Sequence, residues 1–131
     1  MSLTSLPSGI RLARRITVTV LTTWGIPPST TVHDAAVLAV TELVTNTVRH
    51  AAPRSASFEL LLAADDVLDV AVRDSHPGLV DLPAPEAGGG LAVLADLARH
   101  FGGALTIEPD PDGGKTIHVL LPLPQPAAGR N

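Results

Sequence analysis

Residues 67–74 read VLDVAVRD, in which Leu68, Val70 and Val72 alternate with Asp69, Ala71 and Arg73. Alternation of this kind fits a strand with one face on a core and the other toward water. Only Ala64, Asp65 and Asp66 separate it from a second apolar run, Ala56 to Ala63. A gap that short joins antiparallel neighbours, because parallel strands need a crossover of a dozen or more residues. A second pair of runs, Ala104 to Glu108 and Lys115 to Leu121, flanks PDPDGG and reads the same way. The sheet is therefore expected to be built from hairpins.

Outward from the hairpins the spacing changes. From Ile10 to Trp24, Ile10, Leu12, Ala13, Ile16, Val20, Leu21 and Trp24 recur at mostly three to four, and GIPPS ends the pattern. This predicts a first helix, with a strand beginning near Ile16 as the alternative because ITVTVLTT is rich in β-branched residues. Ser29 or Thr30 can cap a second helix running to about Ala51, with His33 and Asp34 in its first turn and Pro53 closing it. Residues 75–90 are rich in Pro, Gly and Ala and read as a loop, of a length that in a compact domain is functional or mobile. Helical spacing returns through Leu91, Leu94, Leu97, Ala98 and Phe101, and Gly102-Gly103 stops it.

The order helix, helix, strand, strand, helix, strand, strand predicts an α+β fold: a two-layer sandwich, with a mostly antiparallel sheet carrying helices on one face. No strand is evident before the first helix. The expected organisation is an N-terminal tail over 1–9, one domain over 10–123, and a disordered Pro-rich tail over 124–131.

Composition narrows the function. With no cysteine among 131 residues there is no disulfide framework, thiolate zinc site or cysteine nucleophile. A net charge of -4 argues against nucleic-acid binding, which favours a basic face. Arg11, Arg14 and Arg15 form the one basic cluster, either a solvated helix face or a contact for an acidic partner. Trp24, Phe58 and Phe101 are the whole aromatic set, so the core is expected to be Leu, Val, Ile and Ala. No apolar stretch of about 20 residues is present to span a bilayer, and the N-terminus lacks signal-peptide order. The expectation is a soluble cytoplasmic protein.

Three groups of residues invite chemistry. Glu42 and Asn46 lie four apart, on one helical face. A carboxylate there can take a proton from a hydroxyl and an amide oxygen can ligate Mg²⁺, although two exposed polar residues would read alike. Asp74 closes its strand where the long loop begins. It can accept a hydrogen bond from an exocyclic amine, or start a turn at SHPG. Gly88, Gly89 and Gly90 precede Leu91 at the opening of the third helix, where backbone amides suit an anion. Without GK[ST] this is not a Walker loop, and read alone such a stretch is more often a flexible linker.

ELVTNTVRHA, VRD, GGGLAVLADLARHFG and GGKTIHVLLPL occur in that order. Together, over about Leu12 to Leu123, they resemble the anti-sigma-factor serine kinases of bacteria, small single-domain ATP-binding regulators. That family lies within the ATPase class of histidine kinases, DNA gyrase, the Hsp90 chaperones and MutL. The resemblance implies the Bergerat ATP-binding fold, with ATP and Mg²⁺ as cofactors. It implies Asn46 as the Mg²⁺ ligand, Glu42 as catalytic base and Asp74 as the reader of the adenine amine. Gly88, Gly90 and Leu91 match the second glycine box, and Thr116 matches a threonine supporting the adenine end. Gly78 fits the first glycine box, in which His76 stands where the family has glycine. Arg49 and His50 lie on the phosphate side, or serve as a cation pair at the helix end.

The implied activity is a protein-serine/threonine kinase acting on an anti-anti-sigma (STAS) partner and sequestering a sigma factor, with no direct contact to nucleic acid or membrane. The competing reading, which His76 motivates, is a non-catalytic protein-binding regulator in which ATP is a structural or switching ligand. A homodimer is compatible with both. A histidine kinase catalytic domain fits less well, since no helix bearing a phosphoacceptor His precedes the boxes; His33 lies inside the second helix, where it is expected to cap or face solvent.

Overall fold

The computed structural model describes residues 1–4, 6–51, 57–74, 90–111 and 113–124, with the side chains of residues 50, 51 and 90 outside that description. The elements are β1 (Ser2–Thr4), α1 (Pro7–Thr23), α2 (Thr31–Ala51), β2 (Ser57–Ala64), β3 (Val67–Asp74), α3 (Gly90–His100), β4 (Ala104–Pro109) and β5 (Lys115–Pro122). The sheet order is β1-β2-β3-β5-β4 and every neighbouring pair is antiparallel. Helices cover one face, so the expected two-layer α+β sandwich is the one that forms.

Alternation decides which face is covered. Phe58 and Leu60 of β2, Leu68, Val70 and Val72 of β3, and Ile117, Val119 and Leu121 of β5 share a register face and are all buried. They meet Ala36, Ala39, Val40, Leu43 and Val44 of α2 and Leu94 and Ala98 of α3 in one core. The opposite face carries charge pairs laced across strands, although Ala71 and Thr116 on it are buried. Arg73 joins Glu59 (Nη1 to Oε1, 3.2 Å) and Asp110 (Nε to Oδ2, 2.7 Å), and His118 lies between Asp69 and Glu108.

In α1 the β-branched run is helical, not extended from Ile16. Ala13, Thr17 and Leu21 form a fully buried stripe at a spacing of four, and the Thr17 hydroxyl donates to the Ala13 carbonyl at 2.8 Å. That bond satisfies a hydroxyl which would otherwise be buried alone. Gly25, at φ 82°, ends the helix: Ile26 N–H reaches back to Leu21 O at 2.8 Å and Gly25 N–H to Thr22 O at 3.1 Å. α3 stops in the same way at Gly102, φ 81°, where Gly103 N–H bonds Ala98 O at 2.8 Å. Thr30 caps α2 by accepting from the His33 N–H at 3.3 Å.

Two expectations are corrected. His33 neither caps with its side chain nor faces solvent: it is 3% exposed, and its Nδ1 lies 2.9 Å from the Ile26 carbonyl, fastening α2 to the turn after α1. Residues 1–9, expected as a tail, contain β1 and the start of α1. Leu3 pairs with Phe58 and is buried, and Gly9 lets α1 start against this strand, because a Cβ there would stand 2.3 Å from Thr4 O. A three-residue strand is too short to show periodicity, and its place comes from backbone pairing with the edge of β2.

Candidate functional site

The last residue of β3 is Asp74 and the first of β5 is Lys115, and the register makes them direct partners. Both occupy the inward parity, with the core residues. The Lys115 Nζ donates to Asp74 Oδ1 at 3.1 Å and Oδ2 at 3.2 Å, with side chains 5% and 3% exposed. Charges so far from water persist only when paired, so each fixes the other. The sheet thus presents an oriented carboxylate at the end of β3, at the residue for which the family resemblance implies a base-reading role.

α2 packs on α1, α3, β3 and β5. Leu43, Val44 and Thr47 are buried and set the helix's rotation. Between them Glu42 and Asn46 are half-buried, so both keep solvent contact while the helix holds their backbones. Arg49, one turn on, is exposed; His50 belongs to α2, and its side chain lies outside the described residues. Leu91 is buried at the start of α3, and Gly90 opens that helix as expected. Gly78 and Gly88, with His76 and the rest of the 75–89 segment, lie outside the described residues.

Thr116 does not join this group. It pairs with Arg73 and Glu108 across the strands, one residue out of phase with Asp74, and therefore sits on the polar face of the sheet. The inward neighbour of Asp74 is Lys115, which sequence reasoning passed over. A signal for it existed: Lys115 shares parity with Ile117, Val119 and Leu121, the apolar set of its strand.

Two cavities flank these elements. One of about 280 Å³ is bordered by Asp74, Arg73, Glu59 and Asp110 at the edge of the sheet. Three carboxylates around one guanidinium make it a poor seat for polyphosphate. The other, of about 480 Å³, runs between α1 and α2, with Arg11, Arg14 and Arg15 around Val18, Thr19 and Val37. Among the described residues no group of three or more His, Cys, Asp or Glu side chains is placed to hold a metal. No described helix is long and apolar enough to cross a membrane.

Comparison with known proteins agrees with this architecture. Residues 31–125 match the family described as "Histidine kinase-, DNA gyrase B-, and HSP90-like ATPase". The Sensor histidine kinase component HK1 of Mycobacterium tuberculosis (strain ATCC 25618 / H37Rv) is 34% identical over 80 residues, covering 49% of this chain and 48% of that protein. The Probable sensor histidine kinase HK of Mycobacterium tuberculosis (strain CDC 1551 / Oshkosh) is likewise 34% identical over 80 residues, covering 49% and 21%. The chain thus spans about half the length of the first relative and about a fifth of the second. Among solved structures, the histidine kinase domain of the E. coli osmosensor EnvZ superposes with a TM-score of 0.51 at 21% identity, covering 76% of this chain and 70% of that one. At that identity the likeness speaks to the fold alone.

Proposed function

The chain belongs to the histidine kinase-, DNA gyrase B- and HSP90-like ATPase family, and from that premise we propose that it is an ATP-dependent protein-serine kinase of the anti-sigma type. It is an ATP-binding domain related to sensor histidine kinases; the serine acceptor, the partners and the Mg²⁺ are our reading. The observation that supports it is the buried, oriented carboxylate of Asp74 at the end of β3, a strand that packs against the helix bearing Glu42 and Asn46.

In this reading Asp74 accepts a hydrogen bond from the adenine amine and sets the register of the nucleotide. Asn46 would hold Mg²⁺ through its amide oxygen, and the metal would supply neutralisation of phosphate charge. The family resemblance gives Gly78, Gly88 and Gly90 the phosphate contacts, Leu91 is buried at the start of α3, and the same resemblance puts Arg49 and His50 on the phosphate side. The bond from the γ-phosphorus to the β–γ bridging oxygen breaks as one to the partner's serine Oγ forms. Glu42 takes the serine proton, and ADP leaves. Most of the acceleration comes from alignment and charge neutralisation.

The partners proposed are an anti-anti-sigma (STAS) protein as phosphoacceptor and a sigma factor held when that acceptor is phosphorylated. What supports a protein contact is the groove between α1 and α2, where three arginines rim an apolar floor in a chain of net charge -4. Acidic segments with an apolar edge fit it. A second reading, that the acceptor is a histidine on another chain, is favoured by the sensor histidine kinases among the relatives.

One assay separates these. Purified chain with γ-labelled ATP and Mg²⁺ is incubated with a candidate acceptor, and the product is exposed to acid. Acid-stable label that disappears with Glu42→Ala, while ATP binding survives, supports the serine kinase. Acid-labile label identifies a histidine acceptor. ATP binding without transfer to either class leaves a regulator for which nucleotide is a switching ligand only.

A further inference from the structure

The roles above leave Lys115 without a task, although it is the most deeply buried cation among the described residues, 4% exposed. Its Nζ is centred on the Asp74 carboxylate, at 3.1 Å and 3.2 Å from the two oxygens. An ionised carboxylate offers about four lone-pair sites and an ammonium three donors, so their contact with each other does not exhaust the capacity of either group. The pair therefore presents an acceptor and a donor side by side, about one hydrogen-bond length apart. Adenine's Watson–Crick edge is the complement: the N6 amine is a donor and the adjoining N1 an acceptor.

We propose that Lys115 is a second base-reading residue, donating to adenine N1 while Asp74 accepts from the N6 amine. The proposal rests on the nucleotide reading above and deepens it. It makes recognition of the base a direct two-point contact from neighbouring strands, β3 and β5, whose register fixes the spacing of the two groups. Thr116, one residue along, is on the other face of the sheet and takes no part in it. Because the contacted atoms are both on one edge of the base, loss of either should be felt as a loss of base discrimination.

The test compares ATP with 1-deaza-ATP, in which N1 is replaced by a C–H group, by calorimetry on the wild-type chain, Lys115→Met and Lys115→Arg. Hydrogen bonds to charged groups set the scale: wild type should bind ATP roughly tenfold or more tightly than the analogue. Lys115→Met should bind the two about equally, and Lys115→Arg, which keeps a donor, should preserve part of the preference. A purely structural lysine would weaken both nucleotides alike and leave the ratio unchanged on substitution, overturning the proposal. Equal binding of both nucleotides by wild type would overturn it without any variant, which covers the case of Lys115→Met failing to fold. Failure of the nucleotide reading itself is a different result: wild type, folded by circular dichroism, would bind neither ATP nor the analogue.

Discussion

Lys115 and Asp74 are register partners at the same end of β5 and β3, both charged, both almost wholly buried, and each in hydrogen-bonding contact with the other. Breaking such a pair strands a charge in the interior, which costs about 3–5 kcal/mol. Asp74→Leu and Lys115→Met should each destabilise on that scale. The double variant should lose less than the two losses added, because no charge is left behind. Urea midpoints for the three proteins check this; strict additivity would mean that the two groups do not depend on each other.

Asn46→Ala is expected to remove the Mg²⁺-dependent part of nucleotide affinity, roughly tenfold or more, and to leave metal-free binding nearly unchanged. Calorimetry with and without EDTA measures the increment directly. If the increment survives the substitution, the ligand lies elsewhere.

Thr116→Val should leave ATP affinity within about twofold, since a substitution away from a binding group typically has small effects. The side chain is on the polar face with Arg73 and Glu108. A large loss of affinity would return Thr116 to the adenine site.

At the end of α3, Gly103→Ala places a Cβ 1.7 Å from the Leu120 carbonyl oxygen, a backbone atom that cannot rotate away. Overpacking of this kind costs about 1–3 kcal/mol or more. Gly102→Ala meets no atom within 4 Å but must hold φ 81°, costing about 1–2 kcal/mol. Thermal melts should rank Gly103→Ala below Gly102→Ala, and both below wild type.

Leu3→Ala tests whether β1 belongs to the domain. Leu3 is 7% exposed and opposite Phe58, so truncation should cost about 2 kcal/mol or more. A tail residue would cost almost nothing.

Most of the fold was legible because its elements are long enough to carry a period. α2 shows its stripe over six turns and β3 its alternation over eight residues, and both lie where the spacing puts them. α1 was ambiguous because side-chain shape and spacing disagreed; tertiary burial of the Ala13, Thr17, Leu21 stripe decided for the helix. β1 was illegible, since three residues held by backbone bonds leave no pattern. In the site, Glu42, Asn46 and Asp74 were readable as residue types in order, whereas the face of Thr116 and the burial of Lys115 required the phase of β5. A lysine after two glycines reads as a turn residue in water until its parity with Ile117 and Val119 is taken seriously.

The covered and uncovered faces of the sheet also amount to two separate alphabets. On the polar face Arg73 and His118 tie neighbouring strands through several charged partners. On the covered face the admissible letters are apolar along most of each strand, until positions 74 and 115, where the rule inverts and only a complementary pair can be spelled. A saturation scan of variants would reveal this as a sharp change of tolerated residue class within a single strand face. Such an inversion would locate the working end of the sheet with no ligand bound and no activity measured.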